Sequence, residues 1–345
     1  MNKILQLFDE EFVLTYFKEQ VLPLYSQYTD IGQVKIKPYK KLIWTTTYHV
    51  VISFQVWFKK ESGDRELVQI VCSAHSNEPR ENVYQVLTYL TEQNFNNQAV
   101  SIPRPLFYSS EFNATFYQAL VGENLLYYIK GNQREEIVKV VVATAQLFAR
   151  LHSLPAIKAP NFNPDSARIR TVVPGVENIL REMSLRFNRQ YSDELEKFYH
   201  YFITEEESYL SQTKDLCLIH GDAHPENIIK TGENSIGVID LTDICQGDYA
   251  RDLGTFLQQL EYKILVKIGS QEFADEMKKL FLDNYFLASG QSDSPALQKR
   301  IQLYYDWTAI RTATYLFLKH DPNETQGEKL FNKVKEDLII DSHEK

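Results

Sequence analysis

Two carboxylates and one amide stand out along Leu216–Gly254. Asp222 follows the apolar run Cys217–Ile219, Asp240 follows Val238-Ile239, and Asn227 lies five residues beyond the first and thirteen before the second. Hard oxygen ligands of this kind hold Mg2+, and a further carboxylate beside them can orient a nucleophilic hydroxyl, so the set suits Mg2+-assisted phosphoryl transfer. In that chemistry Asp222 accepts or orients the proton of the acceptor hydroxyl, since an ordinary carboxylate is ionised at pH 7. Asn227 supplies the metal with a neutral oxygen and Asp240 with a charged one. The interval between these two fits a β-hairpin, with Ile228–Lys230 going out, a turn through Thr231-Gly232-Glu233-Asn234, and Ile236–Ile239 returning. A hairpin brings its two ends together, so Asn227 and Asp240 are expected to be neighbours. The competing reading is that all three are polar turn residues flanking buried strands.

The elements that must position these residues follow from the periodicity. Phe8, Phe12, Val13, Phe17 and Val21 make one stripe of a helix over residues 8–22, and Asp9-Glu10-Glu11 suit its start. Val34–Lys37, Tyr48–Lys59 and Leu67–Cys72 read as strands, with a turn at Glu61-Ser62-Gly63-Asp64. Three strands in a meander make an antiparallel sheet. Pro79 opens a helix to about Gln93 with Val83, Val86, Leu87 and Leu90 on one face; Pro103 and Pro105 introduce more β-structure, and Gly122 ends the segment Phe116–Val121. Beyond it the chain turns helical. Asn132 with Glu135 resembles a capping box, residues 155–175 hold Pro155, Pro160, Pro164 and Pro174 and read as loop, and further helices are predicted over 176–212, from Leu253 to Ile264, over 271–288 and over 296–319. A charged tail from Glu328 completes the chain. This order predicts an α+β protein of two lobes: a helical extension over 1–29, a β-rich lobe over 30–121 and a helical lobe over 122–345, with the ligand site in the cleft.

Composition narrows the function class. A net charge of −9 with no long basic run argues against general nucleic-acid binding, which needs phosphate neutralisation. The three cysteines, Cys72, Cys217 and Cys245, are far apart and form neither a zinc spacing nor a disulfide framework, which fits a reducing cytoplasm. The start of the chain turns acidic before any long apolar run, unlike a signal peptide, and no segment approaches the length of a membrane span.

The joint pattern goes further than its parts. In kinases a catalytic-loop Asp is followed five residues later by a metal-binding Asn, then by a second metal-binding Asp beyond a hairpin. His220-Gly221-Asp222-Ala223-His224-Pro225-Glu226-Asn227, then Val238-Ile239-Asp240, then Gly247-Asp248-Tyr249-Ala250-Arg251-Asp252-Leu253 resemble the aminoglycoside phosphotransferase and choline kinase group, small-molecule relatives of the protein kinases. Gly122-Glu123-Asn124-Leu125 and Leu147-Phe148-Ala149-Arg150-Leu151-His152 are weaker echoes. The resemblance implies a bilobal protein-kinase-like fold, an antiparallel sheet followed by a mainly helical lobe, over about residues 30–320. It implies Asp222 as catalytic base or hydroxyl-orienting residue, Asn227 and Asp240 as Mg2+ ligands, and ATP or GTP as co-substrate. His220 and Asp252 would brace the loop, and Asp248 would cap the following helix or face the acceptor. The acceptor would be a small molecule with a hydroxyl, bound by a monomer or homodimer without nucleic acid or membrane. Tyr304, Tyr305, Trp307 and Arg311 offer it a wall, although the aromatics also fit a packed helix.

The β-rich lobe departs from the pattern. No Lys or Arg occurs between Glu66 and Pro79, where the family places a phosphate-holding Lys on the third strand; Gln69 is the polar residue there. Val83 stands near the position of the partner Glu, and Glu81 is out of phase. Arg65, Lys59 and Lys60 are possible substitutes. There is no glycine-rich phosphate loop; Thr45-Thr46-Thr47, centred on Thr46, sits at the first hairpin, where its amides and hydroxyls could cover phosphate, and reads equally as a β-prone hairpin edge. These gaps motivate a second reading, a catalytically impaired pseudokinase that binds nucleotide or a partner. A protein kinase is a third, disfavoured because no activation-loop segment follows Asp240.

Overall fold

Alternating β-branched and aromatic residues become strands whose buried face can be read from the alternation itself. The computed structural model describes residues 2–154, 159–187, 190–213 and 216–343. The chain divides into two compact units, Met1–Gly122 with Gly237–Thr242, and Glu123–Ile236 with Asp243–Lys345.

In the first unit α1 (Glu10–Gln20) precedes the long strands β1 (Asp30–Ile43), β2 (Tyr48–Lys59) and β3 (Arg65–His75), then α2 (Glu81–Glu92), the short β4 (Val100–Ser101), β5 (Arg104–Ser109) and β6 (Ala114–Gln118). The five long strands form one sheet in the order β1-β2-β3-β6-β5, with every adjacent pair antiparallel, as the meander predicts. Side chains alternate across a strand. Val50, Ile52, Phe54, Val56 and Phe58 of β2 therefore share the core face with Val68, Ile70, Cys72 and Ala74 of β3. α1 covers that face. Asp9 starts the helix by accepting from the amides of Glu11 at 2.9 Å and Phe12 at 3.1 Å. Phe17 then packs edge-on to Phe54 at a centroid distance of 5.0 Å and to Phe116 at 5.9 Å. Ile4 and Leu7, in the turn before α1, join the same core. On α2 the buried residues are Val83, Val86, Leu87 and Leu90, the face read from their spacing.

The second unit opens with β7 (Glu123–Asn124) and α3 (Leu125–Lys130), a short helix that the sequence did not announce. Asn124 caps it, accepting from the Tyr127 amide at 2.9 Å. α4 (Arg134–His152) follows, and the capping box expected at Asn132 does not form. Gly131 and Asn132 end α3 instead, with Asn132 in a left-handed conformation at φ 48°, so one residue closes a helix rather than opening the next. Pro155 and residues 156–158 of the expected loop lie outside the described residues; the rest of that stretch holds a short turn at Pro164–Ala167. Then come α5 (Val176–Phe187), α6 (Ser192–Gln212), β8 (Cys217–Ile219), β9 (Ile228–Gly232), β10 (Ser235–Val238), β11 (Cys245–Gly247), α7 (Ala250–Lys267), α8 (Gln271–Ser289), α9 (Pro295–Leu318) and α10 (Glu324–His343). The division between the units falls inside β10.

α9 is the centre of this unit. Ser294 caps it and Pro295 supplies a fixed first turn. Tyr304, Tyr305, Trp307, Ile310, Ala313 and Phe317 are buried, so these four aromatics of the helix are packing residues, whereas Tyr315 is exposed. α7 meets it at Gly254, where a Cβ would overlap the Ile301 carbonyl of α9. Among the described residues no helix is long and apolar enough to cross a membrane.

Phe17→Ala should destabilise the protein by about 3–5 kcal/mol, the usual loss for emptying a wholly buried phenylalanine site. Urea unfolding of the full chain measures it. A loss under about 1 kcal/mol would mean that α1 does not anchor the sheet's core.

Candidate active site

The Asp222 loop is held from below by short strands and from behind by a buried carboxylate. β8 pairs antiparallel with β11 through Ile219↔Cys245, Leu218↔Gln246 and Cys217↔Gly247, and Leu218 and Ile219 are buried. The chain therefore leaves β8 at a defined point, His220. Asp252, in the first turn of α7 and fully buried, accepts from the His220 amide at 2.6 Å and the Gly221 amide at 2.9 Å. His152, at the end of α4, places Nε2 3.1 Å from the same carboxylate, and its Nδ1 lies 2.9 Å from the Tyr285 hydroxyl. Burial alone would raise the Asp252 carboxyl, but the hydrogen bond and charge of His152, then His220, hold it below its ordinary range.

Arg251, beside Asp252 in sequence, clamps the loop from the other side. It donates to the Gly221 carbonyl at 3.1 Å and also to the Ser166 carbonyl. Gly221 itself has φ 82°, and a Cβ there would overlap the Asp243 carbonyl. A larger residue, such as the Arg usual in protein kinases, does not fit this path.

The next residues form a polar chain. The Asp222 carboxylate, 37% exposed, is open to a ligand, and its Oδ2 lies 3.4 Å from His224 Nε2. His224 Nδ1 is 3.0 Å from Glu226, whose other oxygen takes Lys263 Nζ at 2.6 Å. Asn227 is buried; its Nδ2 donates to the Asp222 carbonyl at 3.0 Å, and among the described residues nothing donates to its Oδ1. The same nitrogen lies 3.1 Å from His224 Nε2. With His224 protonated both are donors, so the ring's proton goes to Asp222 and the amide is held by the carbonyl.

Electrostatics follow from this chain. Burial would raise Asp222, but the hydrogen bond and charge of His224, then Arg311 and His220, carry it well below the usual carboxylate range. Burial would lower His224, yet its bonds to Asp222 and Glu226 push it up to about 9. Glu226 is held at about 2, against burial, by His224 and Lys263. Asp248 is engaged: one oxygen accepts from the Ala250 amide at the start of α7 at 3.1 Å and the other from Arg300 Nε at 2.8 Å.

The first unit carries Asp240. It is exposed and sits in the left-handed region at φ 57°, a strain of order 1–3 kcal/mol for a residue of this kind and a common mark of functional positions. Its Oδ1 accepts from Thr242 Oγ1 at 3.0 Å, and the Thr242 carbonyl accepts from Asn82 of α2 at 3.2 Å. Asp240, Ser73, Val83, Leu87 and Tyr117 line a cavity of about 20 Å³. Val83 lines this cavity, while Glu81 is exposed. Burial, then the charge of Asp240, lifts the Tyr117 hydroxyl well above its ordinary value.

Gln69 lies on the sheet face opposite the core. Its amide donates to Ser53 Oγ at 2.9 Å and to the Tyr39 hydroxyl at 3.1 Å. Thr46 is exposed at the β1–β2 turn, closed by the Trp44 amide on the Thr47 carbonyl at 2.8 Å. Lys59 and Lys60 are drawn into ion pairs with Asp30 at 2.7 Å and Glu66 at 2.6 Å, and Arg65 is exposed at the start of β3. Lys37, which the sequence reading did not single out, is exposed on the same sheet face. It pairs across the strands with Ser53, and its Nζ lies 5.5 Å over the Tyr39 ring.

Mg2+ fits the ligand types. Asn227 offers a free buried carbonyl oxygen, and Asp240 an exposed carboxylate with one oxygen engaged by Thr242. Among the described residues no group of three His, Cys, Asp or Glu side chains could hold a metal ion.

Residues 47–287 match the model of the phosphotransferase enzyme family. The ethanolamine kinase of Plasmodium vivax has the same fold at 16% identity, over 87% of this chain and 81% of that one, with a TM-score of 0.52. The choline kinase LicA of Streptococcus pneumoniae is similar at 14% identity over 94% and 98%, with a TM-score of 0.52. The aminoglycoside phosphotransferase APH(2'')-IIa, in a ternary complex with streptomycin and ATP, is similar at 16% identity over 95% and 96%, with a TM-score of 0.51. No curated protein sequence is a match.

Two outcomes test this geometry. Asp252→Ala should cost about 2–5 kcal/mol in urea unfolding, because it strands two buried amides. By NMR the His224 ring should titrate near pH 9, and Glu226→Gln should bring that midpoint down. A raised folded-state value means that the stabilisation from charged His224 is complete below the ordinary histidine range, about 6.5, and is lost as pH rises through about 9.

Proposed function

The chain belongs to the phosphotransferase enzyme family, and from that premise we propose that it transfers the terminal phosphoryl group of ATP or GTP to a hydroxyl of a small molecule. The observation that carries this reading is Asp222: an accessible carboxylate, kept ionised, on a loop whose backbone is clamped at both His220 and Gly221. In the transfer, the acceptor oxygen bonds to the terminal phosphorus as the bond from phosphorus to the bridging oxygen breaks. The electron pair leaves with the nucleoside diphosphate, and the hydroxyl proton passes to the Asp222 carboxylate. A base so far below neutral is weak, but a loose transition state asks for little activation of the nucleophile. Asp222 therefore orients the hydroxyl first and takes its proton late.

Asn227 and Asp240 would hold Mg2+, which when bound neutralises charge on the phosphate oxygens. His220, Asp252 and Arg251 set the loop. On the nucleotide side, Thr46 at the β1–β2 turn and Gln69, through Tyr39 and Ser53, would meet the phosphates. Lys37 would bring the cation that β3 lacks. A cytoplasmic setting suits a nucleotide-dependent enzyme with three free cysteines. The titration state built around Asp222 favours turnover over a pseudokinase, since nucleotide binding alone has no use for an ordered base.

Asp222→Asn keeps the shape and removes the base. It should lower kcat by about 100- to 10,000-fold while leaving the nucleotide dissociation constant within a few-fold. Coupled detection of nucleoside diphosphate release, with calorimetric nucleotide binding beside it, reads both. Equal turnover in the two proteins would refute the assignment.

A further inference from the structure

Four cations on or beside the helices α7 and α9 stand out around the Asp222 loop, and three are engaged. Arg251 holds the Gly221 and Ser166 carbonyls, Lys263 holds Glu226, and Arg300 holds Asp248. Arg311 of α9 is different. Its guanidinium lies 4.8 Å from the Trp307 ring centroid, and the same ring lies 5.0 Å from Arg251. Stacking of this kind uses the flat face of a guanidinium and leaves its edge N–H groups for an acceptor. Among the described residues no carboxylate pairs with Arg311 and no oxygen accepts from its side chain. It is partly exposed.

The groups facing Arg311 electrostatically are Asp222, Arg251, Tyr199 and Asp243. None satisfies it. Asp243 accepts from Ser166 Oγ at 2.9 Å and from Asn163 Nδ2 at 3.4 Å. Asp222 has His224 beside it, Tyr199 is a buried phenol, and Arg251 has the same charge. Burial disfavours the Arg311 charge, so the fold keeps a cation at some cost next to the residue that orients the acceptor. The acids that would receive a cationic acceptor are taken up: Asp248 by Arg300, Glu226 by Lys263, and buried Glu206 by the Ile169 amide at 2.8 Å and the Tyr304 hydroxyl at 3.2 Å.

We propose that the acceptor carries an anionic group, a carboxylate or a phosphate, which the edge of the Arg311 guanidinium binds while the acceptor's hydroxyl meets Asp222. The inference rests on the phosphotransferase reading and names the substrate class of that site. The planar fork of arginine matches the two oxygens of either anion, and a lysine would supply only a point charge.

The test uses the full chain with Mg2+ and ATP or GTP against four panels: hydroxycarboxylic acids, phosphomonoesters of polyols, neutral polyols and amino alcohols. Diphosphate release and thermal shift are read for wild type, Arg311→Gln and Arg311→Lys. Turnover confined to one of the two acidic panels is expected, and which panel responds distinguishes carboxylate from phosphate. Arg311→Gln should raise KM for that acceptor by about 30-fold or more with kcat within a few-fold, and Arg311→Lys should recover part of it. The nucleotide KM should not move. Preferential turnover of amino alcohols or neutral polyols, unaffected by Arg311→Gln, overturns the inference and leaves the phosphotransferase reading standing. An equal fall in kcat for acceptors of every charge overturns it too, because Arg311 would then act on the transferred phosphoryl group. Turnover of no panel, with no acidic acceptor raising the melting temperature of wild type above that of Arg311→Gln, overturns it as well. Diphosphate release that Asp222→Asn does not change sinks the underlying reading separately.

Discussion

Two consecutive backbone amides converge on one buried carboxylate, and the order of the candidate active site depends on that convergence. Asp252 accepts from His220 and Gly221 at once, so the chain cannot leave β8 in an ordinary strand geometry. It turns through a left-handed glycine, and the side chain of Asp222 is delivered to the surface while its neighbours stay buried. An ionised acceptor makes these bonds stronger than a neutral one would, and His152 keeps it ionised. His152 is fixed in turn by Tyr285. Three helices, α4, α7 and α8, thus meet in a hydrogen-bonded relay that ends on the position of one loop.

Charge is allotted around that loop with little left over. Asp222, His224, Glu226 and Lys263 alternate in sign, so each group lowers the cost of its neighbour's ionisation. Asp248 and Arg300 form a second closed pair, and Asp243 is satisfied by hydroxyl and amide donors. Against this pairing an arginine without an acid stands out. In the first unit it is geometry that is uneven: Asp240 occupies a backbone region that a non-glycine residue rarely adopts, and the Thr242 carbonyl beside it accepts from Asn82 of α2.

Much of the fold was legible because the relevant signals are local. Periodicity marked the sheet strands, the buried face of α2 and the packing role of the α9 aromatics. The kinase-like order of Asp222, Asn227 and Asp240 was legible because short buried strands space their loops by fixed amounts. What was not legible depends on distant partners. Asn132 and Glu135 have the spacing of a capping box, yet the chain arrives there out of a helix, and that helix is visible only once Leu125–Lys130 has packed. Lys59 and Lys60 looked available until Asp30 and Glu66, remote or across a turn, claimed them. That Arg251 has carbonyl partners and Arg311 has none among the described residues could not be read from two arginines in a sequence, because pairing is decided by which helices meet.

The boundary between the two units crosses the chain three times, after Gly122, after Ile236 and after Thr242. The first unit is therefore not a contiguous stretch of the gene. A fragment ending at Gly122 encodes the complete five-stranded sheet but omits Gly237–Thr242, the six residues that carry Asp240 and close the small cavity against Ser73 and Val83. A fragment beginning at Glu123 would include those residues without the strands they belong with. Recombination or truncation at the obvious boundary thus separates a scaffold from its own acidic residue, so inheritance of this site requires the chain on both sides of that boundary to travel together.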